Sequence, residues 1–227
     1  MKPTWQSDCG TVSLYLADAV EVLPSLEAES VEAVITDPPY PKEFDAVWDT
    51  LGDLAPRVIV DGGHLLTLCG HYQLPRVLEA LSKNLRYHWL CILPNAAGIT
   101  PIMHGFGVKV NFKPCLWFVK GKRSKHPIMD DQLFRAGKSW KKHLHAWNQP
   151  IVFGPIVKLV HDSGTVLDPF LGSGTNGVAC VQASRRFVGI EKDPATFRRA
   201  KRRIKEALNS QPLFKDQEPQ LVQGAFA

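Results

Sequence analysis

Apolar and polar positions along this 227-residue chain fall into short runs of two alternating periods. Thr11-Val12-Ser13-Leu14-Tyr15-Leu16 alternates as a half-buried strand, and Val31-Glu32-Ala33-Val34-Ile35 reads as a buried strand that stops where polar residues begin. His64 to Cys69, Tyr87 to Leu93, Thr165 to Leu167 and Arg186 to Glu191 read as further strands. Helical spacing follows Asp18 through Val22, Leu23 and Leu26, then covers Asp45 to Val60 with an interruption near Gly52. It returns over Leu74 to Leu85, Pro150 to His161, Val178 to Ala183 and Pro194 to Leu208. Strands alternating with helices predict an α/β domain whose largely parallel sheet is covered on both faces.

The connections carry their own signals. Gly62-Gly63 predicts a turn, and Pro94 to Gly107 predicts a loop that breaks the pattern. Val108 to Asn111 and Pro114 to Val119 predict a hairpin at one sheet edge. From Asn209 onward periodicity is lost, and 209–227 reads as a loose tail.

Composition changes this picture in two ways. The net charge is +5, and Lys120 to Leu144 holds eight cationic side chains against two aspartates, so this segment alone carries +6 and the remainder −1. A basic insert on a near-neutral body points to a polyanionic partner. The five cysteines are scattered without a CxxC pair, which predicts a reducing, cytoplasmic setting and no structural zinc. No apolar run is long enough to span a bilayer, and the first residues lack the apolar core of a signal peptide.

Candidate chemistry gathers at two strand ends. After the strand ending at Ile35 comes Thr36-Asp37-Pro38-Pro39-Tyr40. Two prolines stiffen the loop and bias the residues before them to extended shapes. Asp37 and the carbonyl of Pro38 can each accept an N–H of an exocyclic amine, and Tyr40 can stack on a flat ring. Far downstream, Gly172-x-Gly174-x-x-Gly177 follows a short strand and opens a helix, with Glu191 ending the next strand. This has the form of a dinucleotide fingerprint. Only about one helix follows Glu191, so a second mononucleotide half is missing, and no Lys-Ser or Lys-Thr closes the loop as in a P-loop. An adenosine-containing ligand without phosphates fits better, S-adenosylmethionine above all. Asp18, at another strand end, reads equally as a ligand contact or a helix cap.

Asp37-Pro38-Pro39-Tyr40 together with Asp168-Pro169-Phe170-Leu171-Gly172-Ser173-Gly174-Thr175 resembles the amino-group DNA methyltransferases, which methylate adenine N6 or cytosine N4. The catalytic motif precedes the cofactor motif, which resembles that family's permuted β order, and the likeness runs from about Asp18 to about Leu208. The resemblance implies a Rossmann-like methyltransferase fold, a mostly parallel sheet with an antiparallel edge hairpin. It implies a single domain over 1–208, with a catalytic half at 11–119, a basic DNA-contact insert at 120–144 and a cofactor half at 145–208.

Carried over by position, Asp37, Pro38, Pro39 and Tyr40 would hold the target amine and base. Asp18, Asp168, Phe170, Gly172, Gly174, Thr175 and Glu191 would serve S-adenosylmethionine. Lys120, Lys122, Arg123, Lys125, Lys138, Lys141 and Lys142 would contact DNA, and no metal is implied. His145 and Pro150 resemble the ends of a segment beside the cofactor, although Ala146-Trp147-Asn148-Gln149 lacks its usual lysine. Asp at the first motif position goes with adenine in this family. A homodimer is a possible assembly. N4-cytosine, RNA adenine and a catalytically silent nucleic-acid-binding partner stand as alternative readings.

Overall fold

The apolar runs of the sequence meet side by side in one eight-stranded sheet. The computed structural model describes residues 1–39, 45–95, 101–122, 128–133, 153–161 and 164–210. In chain order the elements are β1 (Trp5–Gln6), β2 (Val12–Leu16), α1 (Ala19–Val22), β3 (Val31–Thr36), α2 (Ala46–Val58), β4 (Ile59–Leu68), α3 (Leu74–Leu81) and β5 (Arg86–Pro94). Then come β6 (Ile102–Met103), β7 (Val108–Lys109), β8 (Phe112–Val119), α4 (Gly154–Val157), β9 (Thr165–Asp168), α5 (Thr175–Gln182), β10 (Arg186–Glu191) and α6 (Pro194–Asn209).

The sheet order is β1-β2-β10-β9-β3-β4-β8-β5. Strands β2, β10, β9, β3 and β4 run parallel. Strand β1 is antiparallel at one edge, and β8 is antiparallel to both β4 and β5 at the other. This is a Rossmann-like α/β fold, mostly parallel with an antiparallel edge pair. The central strands bury side chains on both faces. Ile35 and Leu66 face a core with Val178, Phe187, Phe197 and Ile204. Val34 and Leu65 face the opposite core with Trp48, Leu51, Val58 and Leu81. Helices therefore cover both sides, as near-continuous apolar strands require. Among the described residues no helix is long and apolar enough to cross a membrane.

Three local expectations are corrected. Helix α2 runs through Gly52 without a break. A Cβ at Gly52 would lie 2.5 Å from the Ala80 carbonyl oxygen, so the bare backbone lets α2 pack directly on α3. Asn84 then donates to the Gly52 carbonyl at 3.0 Å. Gly62-Gly63 is not a turn but a bulge inside β4, where pairing with β3 jumps from Val31–Ile59 to Ala33–His64 and Gly62 sits at φ +78°. The segment after β5 is not all loop. Strands β6 and β7 pair with each other in a separate small sheet, so Val108 to Asn111 does not partner β8, which pairs with β5 instead. Helix boundaries also shift: α5 starts at Thr175, three residues early, and α4 is confined to Gly154–Val157.

The chain passes from β2 over two strands to β3, then outward to β4, while β9 leads to β10 in the opposite direction. The order thus reverses between β9 and β3. In an open α/β sheet that is where a crevice forms beyond the carboxyl ends of the strands.

Candidate active site

Both sequence motifs end strands at this switch point. Pairing sets Val34 of β3 against Leu167 of β9, which brings Thr36 and Asp168 into contact. The Thr36 hydroxyl donates to Asp168 Oδ1 at 2.7 Å, and the Asn176 amide donates to Asp168 Oδ2 at 2.6 Å and to the Ile35 carbonyl at 3.0 Å. The Phe170 N–H also donates to Asp168 Oδ1, at 3.1 Å. Asp168 is therefore buried beneath the site as the knot between the two motif strands. Burial pushes its carboxyl up to about 6, against the pull of the three hydrogen-bond donors, and the nearby Asp37 charge adds to the rise.

Above this knot lies a cleft of about 520 Å³, within the size range of small-molecule sites. Asp18, Asp37, Pro39, Phe170, Gly172 and Glu191 line it, so six of the residues singled out from sequence share one cleft. Val47 and Thr50 of α2, Ile190, Lys192 and Thr196 also line it, and none of these was legible beforehand. Pro38, Gly174 and Thr175 are buried and do not line it. Tyr40 lies outside the described residues, as do Arg123, Lys125, Lys138, Lys141, Lys142 and the segment from His145 to Pro150.

The acidic groups have defined partners. Asp18 caps α1, its Oδ1 accepting from the Val20 N–H at 3.2 Å, and its Oδ2 lies 3.7 Å from Lys192 Nζ. It is both cap and cleft wall. Glu191 accepts from the Gly172 N–H at 2.9 Å and from the Asp193 N–H at 2.9 Å. Each carboxylate oxygen has a second lone pair, so Glu191 can still accept from a pair of hydroxyls while it holds the glycine loop. Asp37 meets Lys113, the second residue of β8, whose Nζ donates to both carboxylate oxygens at 2.9 Å. A lone cation at the start of an otherwise apolar strand was the signal that sequence reading passed over.

The glycine loop is braced from behind. Gly174 begins α5 at φ +81°, a left-handed conformation that favours glycine. Arg203 of α6 donates to the Ser173 carbonyl at 2.7 Å and to the Ser173 hydroxyl at 2.9 Å. Arg203, on the basic side of α6, is thus a clamp on the glycine loop.

Two of the cations assigned to DNA by resemblance, Lys120 and Lys122, fall within the described residues. Because β8 runs antiparallel to β4, Lys120 lies at the edge of the sheet opposite the cleft, with Lys122 just beyond it. Lys120 Nζ donates to Glu29 at 3.0 Å and to the Ile59 carbonyl at 2.7 Å. Lys120, assigned to DNA by resemblance, thus has a carboxylate and a carbonyl of the chain itself as partners.

A family model described as DNA methylase, covering N6 and N4 enzymes, matches residues 152–202. The type II methyltransferase M2.MboI of Moraxella bovis is 22% identical over 254 residues, spanning 91% of this chain and 92% of its own. M.BglI of Bacillus subtilis is 55% identical over 40 residues, 17% of this chain and 12% of its own. M2.LlaDCHI of Lactococcus lactis subsp. cremoris is 30% identical over 95 residues, 41% of this chain and 35% of its own. The matches to M.BglI and M2.LlaDCHI thus span only about an eighth and a third of those proteins.

Among solved structures, the M1.HpyAVI–SAM complex superposes with a TM-score of 0.68 at 24% identity, over 85% of this chain and 98% of that one. PvuII DNA methyltransferase, cytosine-N4-specific, gives 0.73 at 18% identity, over 92% and 94%. These two likenesses speak to the fold. The sequence matches, one short and close, another spread over most of the length, are to type II methyltransferases, and with the family model they make the chain similar to the amino-group (N6/N4) DNA methylases.

Proposed function

We propose that this protein transfers a methyl group from S-adenosylmethionine to N6 of an adenine flipped out of DNA. The observation that carries the reading is that Asp37 and the Gly172–Glu191 pair line one cleft at the sheet's switch point. The donor set suits the cofactor. Glu191 offers acceptors for ribose hydroxyls, Asp18 offers a second carboxylate, and Phe170, Val47 and Ile190 offer apolar surface for the adenine ring. When bound, S-adenosylmethionine supplies an electrophilic methyl on a sulfonium.

The chain's own residues act on the incoming amine. An adenine amine is a weak nucleophile because its lone pair is delocalised into the ring. Asp37 and the Pro38 carbonyl accept its two N–H groups, which favours a pyramidal nitrogen with a localised lone pair aimed at the methyl. This is catalysis by position and electrostatics. A base inside a duplex is out of reach, so it must be flipped, and Tyr40 is the aromatic assigned to replace its lost stacking.

The domain is read as 1–208, with the insert at 120–144 as the DNA-contact region through Lys122, Arg123, Lys125, Lys138, Lys141 and Lys142, while Lys120, assigned to DNA by resemblance, is engaged by Glu29. Asp at position 37 supports adenine by resemblance. The second reading, N4 of cytosine, is supported by the likeness to a cytosine-N4-specific enzyme, and the same pair of acceptors would hold that amine.

The test is incubation with labelled S-adenosylmethionine and unmethylated duplex DNA, followed by nucleoside analysis by mass spectrometry, with Asp37→Ala alongside. N6-methyladenine from the unmutated protein only is the expected result. N4-methylcytosine overturns the base and keeps the mechanism. Undiminished product from Asp37→Ala overturns the mechanism. The mass of the protein in solution tests the homodimer.

A further inference from the structure

We propose that the β6–β7 hairpin is a wedge that enters duplex DNA, with Phe106 at its tip filling the gap that the flipped base leaves in the stack. The inference rests on the methyl-transfer reading above and assigns the step that delivers the base to the cleft.

The hairpin is an apolar projection with no core of its own. Ile102 pairs with Lys109 and Met103 with Val108. One helical turn, His104–Phe106, joins the strands, and the Gly107 N–H closes it by donating to the His104 carbonyl at 3.2 Å. Every residue from Pro101 to Lys109 is exposed. Ile102, Met103 and Val108 all show large apolar surface, and Phe106, at 66%, is the most exposed aromatic side chain among the described residues. A two-stranded hairpin is marginal in water by itself. Contiguous apolar surface kept out in solvent marks a contact with a partner.

The root of the hairpin fixes where that partner lies. Strand β5 ends at Pro94, paired with Phe112 at the start of β8, and β8 sets Cys115 against Leu68 at the carboxyl end of β4. The hairpin therefore leaves the sheet on the edge that carries the cleft. Asn95 holds its base, the N–H donating to the Asn111 carbonyl at 2.9 Å and the side-chain amide to the Val110 carbonyl at 2.6 Å. Just past the base, Lys113 Nζ donates at 2.9 Å to Asp37, the cleft residue assigned to the target amine. The run from Phe106 to Phe112 spans at most roughly 20 Å when extended, against a major-groove depth of roughly 8.5 Å. A hairpin rooted beside Asp37 thus reaches the base stack of a duplex whose flipped base lies in the cleft.

Charge and side-chain type favour DNA over a second copy of the chain. From Pro94 to Met129 there is no acidic residue, so nothing on the hairpin repels phosphate, and Lys109 adds a cation beside the apolar tip. A two-fold pairing of hairpins brings two Lys109 side chains into one contact with no carboxylate of either hairpin to offset them. Phe, Ile and Met are the side chains that wedge between base steps. Extrusion of a base costs its stacking, and an aromatic ring in the gap offsets that cost whatever the neighbouring sequence, because every base has a π-face. Tyr40 is assigned to the extruded base, and Phe106 to the gap behind it.

The experiment uses duplexes carrying the site that the wild type methylates, with the target base paired or mismatched, and compares kcat/KM for wild type, Phe106→Ala and Phe106→Trp. Phe106 stands exposed at a tip, so its replacement leaves the core intact. Cofactor affinity checks the fold, and solution mass checks the assembly. Phe106→Ala should lose about 10-fold or more on the paired target. The loss should shrink to within about 3-fold on the mismatched target, whose extrusion is cheaper, and Phe106→Trp should keep most activity on both. With 2-aminopurine as the target base, the fluorescence rise on binding should fall in Phe106→Ala. Full activity of Phe106→Ala on the paired target overturns the proposal, as does an equal loss on both targets, which makes Phe106 an ordinary contact. A loss accompanied by a halved solution mass overturns it in favour of a second copy. A wild type that binds cofactor and methylates no base overturns the methyl-transfer reading and the wedge with it, a different result from a fully active Phe106→Ala.

Discussion

Asp168 makes stability depend on pH in a way that can be worked out from its surroundings. The residue is 2% exposed, and burial raises its carboxyl from the ordinary 3.8 to about 6. The folded state therefore holds this proton more tightly than the unfolded state does. The stability it contributes is full below about 3.8 and is lost as pH rises through about 6. The gap corresponds to about 3 kcal/mol between the two limits, of which about 1.4 kcal/mol appears between pH 7 and pH 5. Asp168→Asn removes the titration. The carboxamide keeps an acceptor for Thr36, and its new N–H₂ faces Asn176, whose Oδ1 is buried without a hydrogen-bond partner among the described residues. A flip of Asn176 could supply that acceptor, at the cost of its bond to Ile35. The assay is urea unfolding of both proteins at pH 5, 6 and 7, compared as a difference so that the other groups cancel. Wild type should gain about 1.4 kcal/mol on the variant as pH falls from 7 to 5. Parallel profiles would refute the reasoning, because they would mean that Asp168 titrates alike in both states.

Three further outcomes follow from the same geometry. Gly174→Ala should cost roughly 1–3 kcal/mol in thermal or urea unfolding, since φ is +81° and a Cβ would lie 3.0 Å from Cα and Cβ of Ala200. Arg203→Ala should lower stability by about 1–3 kcal/mol through the two lost bonds to Ser173 and should weaken cofactor binding measured by calorimetry. Hydrogen bonds from Ser7 and Thr11 draw the exposed Cys9 thiol down to about 7, while burial pushes Cys69 and Cys91 up to about 12. Iodoacetamide should therefore modify one thiol per native chain, with a rate midpoint near pH 7, as read by peptide mass spectrometry.

What could be read from sequence was local. Strand β10 appears from Arg186 to Glu191 as its pattern predicts, and α6 starts at Pro194, because alternation and an N-terminal proline are carried by adjacent residues. Asp18, Asp37, Phe170, Gly172 and Glu191 were legible for the same reason: each stands at or just after a strand end, and strand ends of a parallel sheet share one edge. Failures came where tertiary contact overrode local preference. Gly52 looks like a helix breaker until α3 packs on it, and Gly62-Gly63 looks like a turn until β3 and β8 take up the backbone on either side. The supports of the site were not legible at all. Thr36 and Asp168 are 132 residues apart, and Asp37 and Lys113 are 76 apart. No spacing rule connects such pairs in a single sequence.

Strand direction also yields a test of which lysines serve DNA. Lys113 and Lys120 bracket β8, and by charge alone Lys120 is the better candidate because it opens the basic insert. The antiparallel run of β8 reverses that order. It delivers Lys113 to Asp37 and carries Lys120 to the far edge, onto Glu29 and the Ile59 carbonyl. A phosphate-bound lysine contributes about one unit to the dependence of log affinity on log salt. Lys120→Ala should therefore leave that slope unchanged in a fluorescence titration of duplex DNA, while lowering stability through the lost carbonyl bond. Removing a true phosphate contact in the insert, with Lys138→Ala as the comparison, should reduce the slope by about one. A reduced slope in Lys120→Ala would mean that DNA wraps past the sheet edge opposite the cleft, and the assignment of that edge to structure alone would fall.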